Sequence, residues 1–214
     1  MKKLYLIGDS IRMCYASFIE EALKGKAKVY WPNENSRFSA YTYYALGDWE
    51  EKLRVGKDCD VIHWNVGLHD IIRFTGDGPV SSPEIYEFYL EKIIHRLKFL
   101  YPDATQVFAN TTPVLEERHS FWLDRKNKDV DKINKVAEKV MKKNNILIND
   151  LHSIVTPECI IDHCHISTPL GRELAVKQIL KTVCPLLDID YDSLTMPDFH
   201  DEQLAARGDA DFMA

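Results

Sequence analysis

No apolar run in this 214-residue chain approaches the roughly 18 residues that a membrane-spanning helix needs. The N-terminus has two lysines and a short apolar stretch, but Gly8-Asp9 interrupts it after Ile7. That is far short of the roughly 7–15 residues of a signal-peptide core. Cysteine is sparse and unpatterned: Cys14, Cys59, Cys159, Cys164 and Cys184 form an odd, scattered set with no C-x-x-C pair. This fits reduced thiols better than a disulfide framework. The nine glycines nowhere form a Gly-rich phosphate loop. Basic residues are in the minority, with a net charge of −6, whereas a nucleic-acid footprint needs clustered Lys and Arg. Internal repeats and low-complexity segments are also missing. The expectation is a cytoplasmic protein that engages neither membrane nor nucleic acid.

What is present is the composition of an ordinary globular domain, 45% hydrophobic and 28% charged, and long enough for a substantial core. The charge is uneven. From Pro185 onward eight acids face Arg207 alone, so this tail carries −7 and the body is near +1. We therefore expect one domain over residues 1–184 and an acidic tail over 185–214, either a mobile arm or a segment that docks on a neighbouring subunit of a homo-oligomer.

The opening residues organise the rest. Leu4–Ile7 is a β-prone run that stops at Gly8-Asp9-Ser10, and a helical pattern over Ile11–Leu23 follows at once. Strands are expected at Ala27–Trp31, Asp60–Asn65, Thr105–Asn110 and Ile146–Asp150. Helices are expected at Ser39–Arg54, from Ser82-Pro83 to Tyr101, Val130–Lys143 and Thr168–Val183. Polar loops separate them at Asn33–Arg37, Arg73–Ser82 and about Glu116–Lys128. The lysines of the fourth helix alternate with Asp131 and Glu138, the pattern of a solvated face. Five strands alternating with five helices predict a three-layer α/β fold on a parallel sheet with right-handed crossovers.

In such a sheet the C-terminal strand ends share one rim, where open α/β folds keep their ligands. Gly8-Asp9-Ser10, the Asn33–Arg37 loop and Val66–Asp70 follow the first three strands, and Asp162–His165 precedes the last helix. A serine nucleophile needs a base within hydrogen-bond reach, and the base needs a carboxylate to fix its tautomer. Ser10 as nucleophile, His165 as general base and Asp162 as its orienter satisfy both needs, because Asp162 and His165 stand three apart on one turn. Candidate oxyanion donors are the Ser10 N–H, a backbone N–H near Asn35–Ser36, and the His69 side chain. The same Gly-Asp-Ser also reads as a plain turn in which Asp9 or Ser10 caps the helix. His163-Cys164-His165 with Asp162 offers metal-ligand types, but without a second cluster. His63 reads as a structural histidine, Asn65 as a brace for the oxyanion loop, and Thr111-Thr112 as a pocket wall or an ordinary turn.

The ordered set resembles the SGNH (GDSL-type) hydrolases, a family of esterases, lipases and acylhydrolases. Gly8-Asp9-Ser10 matches its first block, Gly67-Leu68-His69-Asp70 resembles its third (usually Gly-x-Asn-Asp), and Asp162-x-x-His165 matches its last. The likeness spans roughly Lys3–Val183. It implies a flavodoxin-like α/β/α sandwich with a five-stranded parallel sheet and a Ser-His-Asp mechanism without metal or cofactor. Two positions depart from the pattern. Ser36 stands where the family places a glycine whose N–H serves the oxyanion hole, and His69 replaces an asparagine. A neutral imidazole can still donate one hydrogen bond. The expectation is a serine esterase acting on a small acyl ester, acetyl first, of a carbohydrate or polar metabolite. Rivals are a lipid or thioester acylhydrolase, an acyltransferase, a non-catalytic binding protein on this scaffold, and a flavodoxin-like phosphate binder.

Overall fold

The computed structural model describes residues 1–74, 76, 78–118 and 123–209. Thr75 and Asp77 of the loop expected after the third strand, residues 119–122 of the long polar connection, and residues 210–214 of the tail lie outside the described residues. The chain alternates β1 (Lys2–Ile7), α1 (Ser10–Ala22), β2 (Ala27–Tyr30), α2 (Ser39–Leu53), β3 (Val61–Trp64), α3 (Pro83–Leu100), β4 (Thr105–Ala109), α4 (Asn127–Lys143), β5 (Leu147–Asn149) and α5 (Pro169–Val183). Short 3-10 turns and a sixth helix, α6 (Glu202–Asp209), follow.

The five strands form one parallel sheet in the order β2-β1-β3-β4-β5. A central parallel strand is covered on both faces, and β1 accordingly reads as an unbroken apolar run from Leu4 to Ile7, all buried. It pairs with β3 in a register that sets Ile7 against Trp64, so both strands end at the same level. β3 and β4 are locked by Trp64 packing edge-on against Phe108, their ring centres 4.8 Å apart. α1 packs beside α5, whereas α2, α3 and α4 pack in series, which gives the two helical layers of an α/β/α sandwich.

The helix starts follow from sequence. Ser82 caps α3 with its hydroxyl on the Ile85 N–H and Pro83 at the first turn, and Thr168 caps α5 in the same way ahead of Pro169. α2 is capped from a distance. The Asp70 carboxylate accepts the Ser39 N–H at 2.9 Å and the Ser39 hydroxyl at 2.6 Å, and it also accepts the Ser81 hydroxyl at 2.7 Å. The α4 lysines are solvent-facing; Lys139 and Lys143 reach Glu87 and Glu91 of α3 in exposed pairs of small energetic value.

The tail differs from the expected mobile arm. Through Asp209 it lies on its own chain: Leu187 and Ala205 are buried, Phe199 stacks on Phe18, and the Ser17 hydroxyl donates to the Leu204 carbonyl at 2.5 Å. The reason lies in α1. Between Arg12 and Glu20 it has no charged residue, so both of its sides must be covered, one by the sheet and the other by α6.

Candidate active site

The turn after β1 resolves the two readings of Gly-Asp-Ser. Asp9 is the cap of α1: its Oδ1 accepts the Ile11 N–H at 3.0 Å and the Asn65 side-chain amide at 2.8 Å. Burial pushes the Asp9 pKa up, against those two hydrogen bonds. The Ser10 hydroxyl is therefore not needed for capping, and its N–H, at the start of α1, has no acceptor among the described residues. Gly8 is required by close approach. A Cβ there would stand 2.0 Å from Asn65 Oδ1 and 2.6 Å from the Cβ of Arg12. Asn65 thus braces the turn, as its place at the end of β3 suggests.

Ser10 Oγ lies 2.9 Å from His165 Nε2, and His165 Nδ1 lies 2.5 Å from Asp162 Oδ2. The second contact is built by a single turn. Asp162 Oδ1 accepts the backbone N–H groups of Cys164 and His165, both at 2.9 Å, which leaves Oδ2 to face the imidazole. Burial alone would raise the Asp162 pKa, but the bonds from His165 and from the two backbone groups hold it well below the usual carboxylate range. For His165, burial disfavours the cation, and the hydrogen bond to Asp162 outweighs it and raises the pKa. The arrangement suits proton transfer from the serine to Nε2, with the imidazolium steadied by Asp162.

Asp162, His163 and Cys164 also bring ligand-type atoms within 4.8 Å of one another. Their donors are already engaged. Both Asp162 oxygens are occupied as above, and His163 Nε2 faces the Arg125 guanidinium at 2.5 Å. The cluster is better suited to fixing the His165 turn than to holding a cation.

The loop after β2 corrects one expectation. Ser36 is fully buried, its N–H donates to the Gly8 carbonyl at 3.1 Å, and its hydroxyl accepts the Gly8 N–H at 3.1 Å. The backbone donor expected at Ser36 is thus already used in stitching this loop to the serine turn. Two residues later, the N–H of Phe38, which precedes the first turn of α2, has no acceptor among the described residues.

His69 sits on the turn after β3, half-buried, and its ring makes no hydrogen bond among the described residues. Burial, with the positive charges of Arg125, His165 and Arg37, pushes its pKa down to about 3, so the ring is neutral at ordinary pH. Gly67 gives this turn its shape: φ is +151°, and a Cβ would meet Thr111 Oγ1 at 2.2 Å. Thr111 is tied to α4 through Asn134, which bonds both its N–H and its carbonyl. His63 is structural. It is fully buried, 3.1 Å from the Asn149 amide, and pushed down to about 3 by burial.

Sequence reasoning missed Arg125. It sits in the polar connection before α4, yet it is only 4% exposed, with Nε donating to the Leu68 carbonyl at 2.7 Å. A lone arginine in a polar loop carries no signal of such burial. All five cysteines are buried, and none is in a disulfide.

No protein-family model matches the chain, and no curated protein matches it. Solved structures do. A lipase/acylhydrolase from Enterococcus faecalis aligns with a TM-score of 0.67 at 17% identity, covering 92% of this chain and 99% of that one. A GDSL-like lipase from Bacteroides thetaiotaomicron gives 0.64 at 12% identity, with 85% and 87% covered. A catalytic mutant of an acetylxylan esterase from Geobacillus stearothermophilus gives 0.60 at 16% identity, with 89% and 95% covered. At such identities the likeness is one of fold, and the α/β/α sandwich is the SGNH hydrolase fold expected from the three sequence blocks.

Proposed function

We propose that this protein is a serine esterase of the SGNH type that hydrolyses a small acyl ester. The observation that carries the reading is the continuous chain Ser10 Oγ–His165 Nε2 at 2.9 Å and His165 Nδ1–Asp162 Oδ2 at 2.5 Å. Ser10 Oγ attacks the ester carbonyl while His165 Nε2 takes its proton. The tetrahedral adduct collapses, His165 returns the proton to the leaving alcohol, and an acyl-serine remains. Water, deprotonated by His165, then attacks the acyl-serine, and the carboxylic acid leaves as Ser10 recovers its proton. Asp162 keeps Nδ1 protonated throughout, so that Nε2 presents its lone pair to the serine.

The oxyanion would be held by the Ser10 N–H at the start of α1, the neutral His69 ring and the Phe38 N–H. Phe38 takes the role first expected of Ser36. Our preferred substrate is an acetyl ester of a carbohydrate or polar metabolite. The polar loops around the site and the acetylxylan esterase among the structures of like fold support it. No helix of the described residues is long and apolar enough to cross a membrane, and five cysteines outside any disulfide fit a reducing compartment, so the reading includes a cytoplasmic location.

The test is hydrolysis of 4-nitrophenyl acetate and butyrate by wild type and Ser10→Ala with matched circular dichroism. Loss of kcat by about 10³-fold or more is expected. Equal rates in the two proteins would end the esterase reading.

A further inference from the structure

Two cations beside the candidate site form no ion pair with a carboxylate among the described residues. Arg125 is buried, yet among the described residues no carboxylate forms an ion pair with it. Its Nε donates to the Leu68 carbonyl at 2.7 Å and its Nη1 to His163 Nε2 at 2.5 Å. The guanidinium therefore spans the turn that carries His69 and the turn that carries His165. Neither acceptor is charged, because an arginine only donates and His163 must meet it with the lone pair of a neutral ring. The Nη2 edge of the fork is left without an acceptor among the described residues. Asp9 is a carboxyl within electrostatic reach, but it caps α1, binds Asn65, and is pushed toward its neutral form by burial.

Arg37 is the second. It lies between Ser36, bonded to Gly8, and Ser39, bonded to Asp70, so it bridges the serine turn and the His69 turn. Its backbone is left-handed, with φ +51°, and its guanidinium rests over the Tyr41 ring at 5.1 Å. No carboxylate of the described residues pairs with it. Both guanidinium groups act on His69, lowering its pKa. In a chain with a net charge of −6, this sets two cations beside the candidate site of an acidic protein. A guanidinium withdrawn from water without a counter-ion is costly, and its fork geometry suits two anionic oxygens.

We propose that the ester taken by this site carries an anionic group, a carboxylate or a phosphate, that docks on Arg125 with Arg37 as the second cation. The proposal deepens the esterase reading and rests on it for the identity of the bond cleaved. The acetyl ester of an acidic sugar or of a hydroxy acid has the required chemistry.

The test compares 4-nitrophenyl acetate with three anionic esters: mono-4-nitrophenyl glutarate, 4-acetoxybenzoate and 4-acetoxyphenyl phosphate. These place a carboxylate on the acyl side, a carboxylate on the alcohol side, and a phosphate on the alcohol side. At least one anionic ester should exceed the neutral one by about tenfold in kcat/KM, mainly through KM. Arg125→Gln should reduce that ratio to about one, Arg125→Lys should keep part of it, and the exposed Arg37→Gln should lower it by about threefold. A purely structural Arg125 would lower turnover of neutral and anionic esters together, and that result would overturn the proposal. So would a wild type that prefers the neutral ester.

Calorimetry on Ser10→Ala with 4-hydroxybenzoate and with 4-hydroxybenzyl alcohol needs no turnover, and tighter binding of the anion by about tenfold is expected. Equal binding of the two refutes the anion site. Anion preference in binding without hydrolysis of any ester would instead sink the esterase reading and leave the anion site standing.

Discussion

Asp162→Asn separates two things that Asp162 does. One oxygen accepts the backbone N–H groups of Cys164 and His165, and the other faces His165 Nδ1. Asparagine retains one oxygen, which can keep the two backbone bonds and so preserve the turn. Its amide then faces Nδ1 with N–H rather than a lone pair, and the ring must place its proton on Nε2. That tautomer donates to Ser10 Oγ and cannot take the proton of the attacking serine. Loss of one charge-assisted hydrogen bond would cost about 1.5–3 kcal/mol, or roughly 10- to 150-fold in rate. The wrong tautomer costs far more, about 10⁴-fold in kcat, as removal of this carboxylate does in other triads.

We therefore expect Asp162→Asn to lose about 10⁴-fold in kcat for 4-nitrophenyl acetate. The unfolding midpoint should move little, with a stability change of about 1 kcal/mol or less. Steady-state kinetics and urea unfolding on the same preparations measure both. A loss of no more than about 150-fold would mean that Asp162 acts only as a hydrogen-bond partner, and the tautomer argument would fail. A large loss of stability together with activity would point to collapse of the turn instead, which Asp162→Ala, lacking both sets of bonds, should show as the contrasting case.

Two further outcomes follow from neighbouring residues. If His69 is a working oxyanion donor, His69→Ala lowers kcat by about 10²–10³-fold. His69→Asn recovers much of it, and because the ring stays neutral the activity shows no break from its titration above about pH 4; a fall below threefold on removal would take His69 out of the mechanism. Asp70, buried among Ser39 and Ser81, has its pKa pushed up to about 6 by burial, against an ordinary value near 3.8. Between these values the folded chain binds more protons than the unfolded one, so the contribution of Asp70 to stability is greatest below about pH 4 and is lost as pH rises through about 6, by roughly 3 kcal/mol. Chemical unfolding from pH 4 to 7 should show this decline in wild type and its absence in Asp70→Asn; a wild-type profile that matches the mutant would refute it.

The strand and helix pattern was open to a sequence reading because the strands centre on short apolar runs and α1, α3 and α5 carry their own caps in Asp9, Ser82 and Thr168. The Asp162–His165 pair was also legible, since residues three apart on one turn must lie close whatever surrounds them. The boundaries that shifted are those set by neighbours: α4 begins at Asn127 rather than Val130, and β5 keeps only Leu147–Asn149 at the sheet edge. Even the docking of the tail left a trace, in the uncharged stretch of α1 between Arg12 and Glu20, although nothing in the tail itself shows the periodicity of a packing face.

By itself, then, the order of residues determined the alternation of elements and the local contacts on single turns, because propensity, capping and short spacings act within a few residues. Only the tertiary structure decided that Ser10 meets His165 across 155 positions, that Ser36 is a stitch to Gly8, and that Arg125 lies buried between two turns. Which N–H points at a neighbour and which is left open depends on the path of a whole loop over the sheet rim. That path is set by partners distant in sequence, such as Asp70 and Asn65, whose positions no local pattern encodes.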